Sequence, residues 1–228
     1  MLSSWDLTRT ALVLWHGDSL SDPAFTYQML APLFETASLN YNPAYGSGQP
    51  GRSPAPAGFR VPQVSNKAVT GSTIGDIYTY LTSQIQFNPW THVALCMGTN
   101  ERPVARAVTQ ANITNVATLL NGYPVKILIV GPYAWGECYP SGVNDKVGAN
   151  DQRLDETDID IPAGFNAVNP NNFVYVSLRS TLYTQVMPPQ NLPPPGATNG
   201  PFTVDGAHWN PRGRVEALKI IRPFVNFT

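Results

Sequence analysis

Strand-length apolar runs alternate with helical stretches along this chain, and few folds accept that alternation. Ala11 to Trp15, Val61 to Ser65, His92 to Met97, Val125 to Val130 and Phe173 to Leu178 read as five strands. Asp22 to Thr36, Ile74 to Phe87 and Pro103 to Leu120 read as helices between them. Strands joined by helical crossovers run parallel, and such a sheet is covered on both faces. The expected architecture is therefore α/β, with a central, mainly parallel five-stranded sheet between two layers of helix. A last helix is marked by Asn210 as N-cap, Pro211 at the first helical position, and Val215, Leu218 and Ile221 at core-facing spacing, with Pro223 as its stop. At 228 residues and 43% hydrophobic content the chain can bury one core. No Ser/Gly or charged linker divides it, so residues 1–228 read as a single domain.

Three stretches break the alternation. Tyr41 to Pro62 is dense in Gly and Pro, and Met187 to Pro201 carries a run of prolines. Each is either a connection or the wall of a site, and both can reach the carboxyl edge of the sheet, where open parallel sheets bind ligands. Tyr139 to Asn172 stands where a crossover helix belongs, yet Gly, Pro and Asn recur through it, so a local rearrangement is expected. Within that stretch Asp151, Asp155, Glu156, Asp158 and Asp160 lack the spacing and turn glycine of a calcium loop and read as a solvated acidic face.

Four short motifs fall at predicted strand ends. Gly17-Asp18-Ser19-Leu20-Ser21-Asp22 follows the first strand, Asn66-Lys67-Ala68-Val69-Thr70-Gly71-Ser72-Thr73 the second, Gly98-Thr99-Asn100-Glu101 the third, and Asp205-Gly206-Ala207-His208 comes after the fifth. Together the first and last supply a serine, a histidine and a carboxylate. Serine at its own pKa is a poor nucleophile and needs an oriented base, so this trio is the minimum set for activating a hydroxyl. Ser19 and Asp18 could instead cap the following helix, a role that would need neither His208 nor Asn100. Asp18 reads as a brace for the turn.

In these four blocks the chain resembles the SGNH hydrolases, the GDSL esterases and lipases, a family named for a serine, glycine, asparagine and histidine in that order. The resemblance spans most of the chain and implies a flavodoxin-like α/β/α fold and acyl transfer to water without a cofactor or metal. Position by position it makes Ser19 the nucleophile, His208 the general base and Asp205 the residue that orients the imidazole. The Ser19 and Gly71 backbone N–H groups and the Asn100 side-chain amide would form the oxyanion hole. Donors aimed at the charge on a tetrahedral intermediate are worth roughly 3 kcal/mol each. Ala68 occupies a position where the family often has glycine, which leaves Gly71 as the donor. Glu101 stands where many members have aspartate; it and Arg102 could contact substrate or pair with each other. Trp209 could line a substrate pocket or simply pack. The substrates implied are small acyl esters, plausibly carbohydrate O-acetyl groups. The competing reading is a binding or structural module, of a viral tail or cell-surface assembly, that keeps the fold without turnover.

Other classes fit poorly. The formal net charge is −1, from 14 basic and 15 acidic residues, with no basic cluster to track phosphates, so no nucleic acid partner is expected. No apolar run approaches the roughly 18 residues of a spanning helix, which argues against integral membrane association. The start of the chain lacks a basic export signal, while low charge and abundant Pro, Asn, Thr and Tyr lean toward a secreted or virion-borne protein. Gly46-Ser47-Gly48-Gln49-Pro50-Gly51 matches a dinucleotide fingerprint formally, but it neither follows a strand nor opens a helix. Ser21 replaces the second glycine of an α/β-hydrolase elbow. Cys96 and Cys138 are expected as thiols, and His16 and His92 as packed core residues.

Overall fold

The computed structural model describes residues 1–8, 11–19, 21, 63–132, 149–181 and 211–227. Its central sheet has β2 (Leu12–Gly17), β3 (Gln63–Asn66), β4 (His92–Cys96), β5 (Lys126–Val130) and β6 (Phe173–Val176) in the order β3-β2-β4-β5-β6, every pairing parallel. All five expected strands are present, within a few residues of the boundaries read from the sequence. The order places the earliest strand of the sheet between the next two, the flavodoxin-like arrangement.

Two separate apolar layers cover the sheet. On one face Leu14, Val93, Leu95, Ile127 and Ile129 meet α1 (Ile74–Gln84), α2 (Arg106–Asn121) and α3 (Ala149–Val168). On the other, Val13, Trp15, Ala94, Cys96, Leu128 and Val130 meet Ala217 and Ile221 of α5 (Pro211–Ile221), with Leu178 of the short α4 (Leu178–Thr181). Consecutive residues of one strand therefore enter different cores, as the twofold side-chain period requires. Helix α1 starts where a capping box specifies: Thr73 Oγ1 accepts from Asp76 N–H at 3.2 Å, and Asp76 Oδ2 accepts from Thr73 N–H at 2.9 Å. Ile74, Ile77 and Leu81 on one face of that helix are fully buried, each worth roughly 1.5–3 kcal/mol of transfer free energy.

Four expectations need correction. The stretch Tyr139 to Asn172 is not rearranged from Ala149 onward: it contains α3, twenty residues long, despite Pro162 within it. Buried Leu154, Ile161 and Phe165 hold the helix to the sheet, and Gly164 lets it approach α2, since a Cβ there would lie 2.5 Å from Ile113 Cγ2. Of the acidic residues expected as a solvated face, Asp155 is exposed, but Glu156, Asp158 and Asp160 are engaged by neighbouring side chains. Asp160 takes two hydrogen bonds from Arg106 at 2.9 Å, Glu156 pairs with Arg153 at 2.6 Å, and Asp158 accepts from Tyr175 and from Ser177, the latter at 2.7 Å. In α5 the core-facing positions are Gly213, Ala217 and Ile221, while Val215 is 50% exposed.

The fourth is a two-stranded parallel sheet unforeseen in the sequence, β1 (Trp5–Leu7) with β7 (Val225–Phe227). It is anchored at the amino edge of the main sheet: Trp5 Nε1 donates to the Lys126 carbonyl at 3.0 Å, and His92 Nε2 lies 2.8 Å from the Asp6 carbonyl. The expected helix Asp22 to Thr36 and the loops Tyr41 to Pro62 and Met187 to Pro201 lie outside the described residues. Cys138 lies outside them too.

Candidate active site

The strand registers bring four strand ends into one row. Gly17 lies opposite Cys96, Cys96 opposite Val130 and Val130 opposite Val176, while Trp15 faces Asn66 on the other side. From β2 the chain proceeds to β3 on one flank, and from β3 to β4 on the other flank of β2. This reversal of strand order opens a crevice at the carboxyl edge, the usual ligand site of an open parallel sheet.

Ser19 stands directly at that crevice, in the turn after β2. The turn is possible because residue 17 is glycine: a Cβ would sit 2.5 Å from the Cys96 carbonyl oxygen. Asp18 N–H donates to that same oxygen at 3.3 Å, and Ser21 N–H closes the turn on the Asp18 carbonyl at 3.0 Å. Asp18 and Ser21 are buried and Ser19 is half-buried, the arrangement expected if Asp18 braces the turn. Cys96 beneath it offers no competing nucleophile, because burial pushes its thiol pKa up to about 12.

The loop after β3 runs alongside the end of β2. Lys67 N–H donates to the Trp15 carbonyl at 2.8 Å and Val69 N–H to the Gly17 carbonyl at 3.0 Å. Asn66 ties this loop to the serine turn, donating from Nδ2 to the Ser21 carbonyl at 2.7 Å while its Oδ1 accepts from Ala68 N–H at 3.0 Å. That role was not anticipated, although Asn66 opens the second motif. Further along, Gly71 has φ +79°, and among the described residues no atom lies within 4 Å of where a Cβ would stand. Its backbone thus takes a left-handed conformation at an exposed position, which suits a glycine approached by a ligand.

Asn100 belongs to the 3₁₀ turn Thr99–Glu101 that follows β4. Its Nδ2 donates to the Ser72 carbonyl at 3.0 Å, so the amide is joined to the loop that carries Gly71. An amide nitrogen bears two hydrogens, and this bond orients the group while using one. The structure thus brings Ser19, Gly71 and Asn100 to neighbouring loops of one edge. Asp205, His208 and Trp209 lie outside the described residues.

Glu101 is not where a substrate-binding residue would be. Its side chain is 0% exposed, with Oε1 accepting from Ile74 N–H at 2.6 Å and Oε2 accepting from Thr109 Oγ1 at 2.8 Å. Both oxygens are directed into the fold, toward α1 and α2, which overturns the expectation of contact with substrate or pairing with Arg102. Arg102 itself is half-buried. Buried His16 and His92 are core residues, as expected. Among the described residues no group of three His, Cys, Asp or Glu could hold a metal ion, and no helix is long and apolar enough to cross a membrane.

No protein-family model matches the chain, and no curated protein matches it by sequence. Solved structures do match. Axe2, an acetylxylan esterase from Geobacillus stearothermophilus, superposes with a TM-score of 0.64 at 13% identity, covering 95% of this chain and 96% of that one. The psychrotrophic esterase EstA from Pseudoalteromonas sp. gives a TM-score of 0.55 at 12% identity, covering 93% and 95%. A protein of Slackia heliotrinireducens described as a candidate SGNH hydrolase gives 0.58 at 11% identity, covering 94% and 98%. This chain has the SGNH-hydrolase fold. Likeness over nearly the whole of each chain, at an identity too low for sequence to carry it, means that the shared feature is the fold. Within the SGNH-hydrolase fold found here, the serine, glycine and asparagine motifs occupy the three loops that border the crevice.

Proposed function

We propose that this chain is a serine esterase that hydrolyses short-chain carboxylic esters, with O-acetylated carbohydrate as the preferred substrate class. The observation that carries the reading is the meeting of the Ser19, Gly71 and Asn100 loops at the switch point of the sheet. In the proposed reaction His208 takes the Ser19 Oγ proton as Oγ attacks the ester carbonyl carbon. The oxyanion of the tetrahedral intermediate accepts hydrogen bonds from the Ser19 and Gly71 N–H groups and the Asn100 amide. Collapse breaks the ester C–O bond, and His208 returns its proton to the departing alcohol. Water, deprotonated by the same imidazole, then cleaves the acyl-serine and regenerates Ser19. Asp205 holds the imidazole in the tautomer that leaves Nε2 free to accept.

The course of α5 supports a base arriving from the chain's far end. After this helix the chain forms β7, which pairs with β1 at the amino edge of the sheet. Eleven residues of helix span about 16 Å, close to the length of the strands beneath. The start of α5, into which residues 205–210 lead, is therefore directed toward the carboxyl edge that bears Ser19. The carbohydrate preference draws on the acetylxylan esterase among the structures of like fold. Trp209 and Arg102 are the proposed substrate contacts.

Labelling with a fluorophosphonate, followed by peptide mapping, tests the reaction. An adduct on Ser19 that is lost in Ser19→Ala is the expected result, and no labelling of the folded protein refutes the esterase. A panel of nitrophenyl esters and acetylated glycans tests the substrate; preference for long acyl chains refutes the carbohydrate version.

A further inference from the structure

Glu101 is a fully buried carboxylate one residue beyond the proposed oxyanion donor Asn100, and the esterase chemistry proposed above assigns it nothing. We infer that Glu101 is a positioning residue that fixes the spacing between the Asn100 amide and the Gly71 loop by clamping the turn after β4 onto the start of α1. This inference rests on the esterase reading and deepens it.

The clamp has two adjacent teeth. Asn100 reaches the Ser72 carbonyl at 3.0 Å, and Glu101 reaches Ile74 N–H at 2.6 Å. Residues 100 and 101 are thus fastened to 72 and 74, across the crevice loop that contains Gly71. Ile74 is the first residue of α1, whose amino-terminal N–H groups have no partner within the helix. A carboxylate there is favoured by the helix dipole as well as by the hydrogen bond. Thr73 and Asp76 cap each other, so Glu101 serves a donor that the capping box leaves over.

The back of the carboxylate is held just as firmly. Thr109 Oγ1 donates its single proton to Glu101 Oε2 at 2.8 Å and accepts from Arg153 Nη2 at 3.0 Å. Arg153 in turn donates to the Val104 carbonyl at 3.1 Å and pairs with Glu156 at 2.6 Å. Both Glu101 and Thr109 are 0% exposed. A buried charge without partners would be costly; here hydrogen bonds from α1 and α2 meet it, and a cation on α3 lies one hydroxyl away. Three helices therefore converge on the residue next to Asn100. Their alignment determines where the amide points.

Glu101→Gln tests the clamp with little change of shape. It exchanges one acceptor oxygen for an NH2 group, so that either Ile74 N–H or the Thr109 hydroxyl proton loses its acceptor. Hydrolysis of nitrophenyl acetate is measured, with rates divided by the concentration of Ser19 that a fluorophosphonate titrates, so that a loss of folded protein does not count. The expected result is a kcat lower by about 10–100-fold, since misplacement by about 1 Å costs that much, with KM within about twofold because binding of the ground state is untouched. A kcat per titrated site within about twofold of the parent overturns the inference. Should Glu101→Gln not fold, Thr109→Val removes the rear contact together with the acceptor of Arg153 Nη2 and leaves the Glu101 bond to Ile74 N–H; a kcat lowered by about 3–10-fold is expected, and an unchanged kcat overturns the clamp.

A readout free of turnover separates the two readings. The ¹⁵N NMR signals of the Gly71 amide and the Asn100 side-chain amide should shift or broaden in either variant, and unchanged signals overturn the clamp. If the parent neither turns over nor labels at Ser19 while those signals still move, the esterase fails and the clamp stands.

Discussion

Acid should weaken this fold through His16, by an amount that its surroundings set. The ring lies on the face of β2 covered by α1, stacked on Tyr80 at 5.3 Å with no exposed surface. Gly17 N–H donates to its Nδ1 at 2.9 Å, so the neutral ring carries its proton on Nε2, which has no hydrogen-bond partner among the described residues. Protonation would place a second N–H on Nδ1, against the Gly17 donor, in surroundings that cannot solvate charge. Burial accordingly pushes the His16 pKa down from 6.5 to about 4.

In the unfolded chain the imidazole titrates at about 6.5. Between pH 7 and pH 4 the unfolded state therefore takes up a proton that the folded state refuses, and stability falls as the pH falls. At about 1.4 kcal/mol per pKa unit, the His16 contribution is nearly absent at pH 7 and reaches about 3 kcal/mol at pH 4. His16→Asn keeps an acceptor for Gly17 N–H and removes the titration. Urea unfolding followed by tryptophan fluorescence at both pH values is the assay. The variant should lose about 3 kcal/mol less than the parent over that interval. His92, whose pKa burial also lowers, destabilises both proteins alike and drops out of the comparison. A loss equal in the two proteins, or a His16 ring signal that titrates near 6.5 in the folded parent, would refute the reasoning.

Three further outcomes follow from single contacts. Asn100→Ala should lower kcat by about 100-fold or more in the nitrophenyl ester assay, while the lost bond to the Ser72 carbonyl should cost only about 1 kcal/mol in urea unfolding. Gly17→Ala should cost about 1–3 kcal/mol in urea unfolding, because the new methyl meets a strand carbonyl; Gly71→Ala meets no atom of the described residues and should cost the left-handed strain of about 1–2 kcal/mol. Trp5 is 1% exposed and hydrogen-bonded to the Lys126 carbonyl, so Trp5→Ala should lose about 3–5 kcal/mol of stability with kcat unaffected.

The parts of the fold that were legible share a physical cause. Strands β2, β4 and β5 are buried on both faces over most of their length, so most of their residues are apolar and the run is visible without a partner. Helix α1 carries its own start signal in Thr73 and Asp76. Helix α3 was hidden because its Pro162, Gly164 and asparagines disfavour helix locally, and because its acidic residues looked like a surface. What stabilises it is contact: Gly164 against Ile113, Asp160 against Arg106, Asp158 against Tyr175 and Ser177. Val215 shows the same limit in reverse. An apolar residue at helical spacing is consistent with a core, but the orientation of α5 was decided by the small Gly213 and Ala217, which let it lie close to the sheet.

Sequence alone determined the sheet, its parallel sense and the residues at its strand ends, because periodicity and local caps are written within short stretches of chain. Its resemblance to the SGNH hydrolases also put Ser19, Gly71 and Asn100 forward as one set. Tertiary structure alone decided the roles of Glu101 and Asn66, whose hydrogen bonds reach 27 and 45 residues along the chain to backbone groups of Ile74 and Ser21. Backbone donors and acceptors are the same at every position, so no residue pattern can mark which of them a distant side chain will meet. The β1–β7 pairing belongs with these, since two three-residue strands from opposite ends of the chain carry almost no signal until the core brings them together.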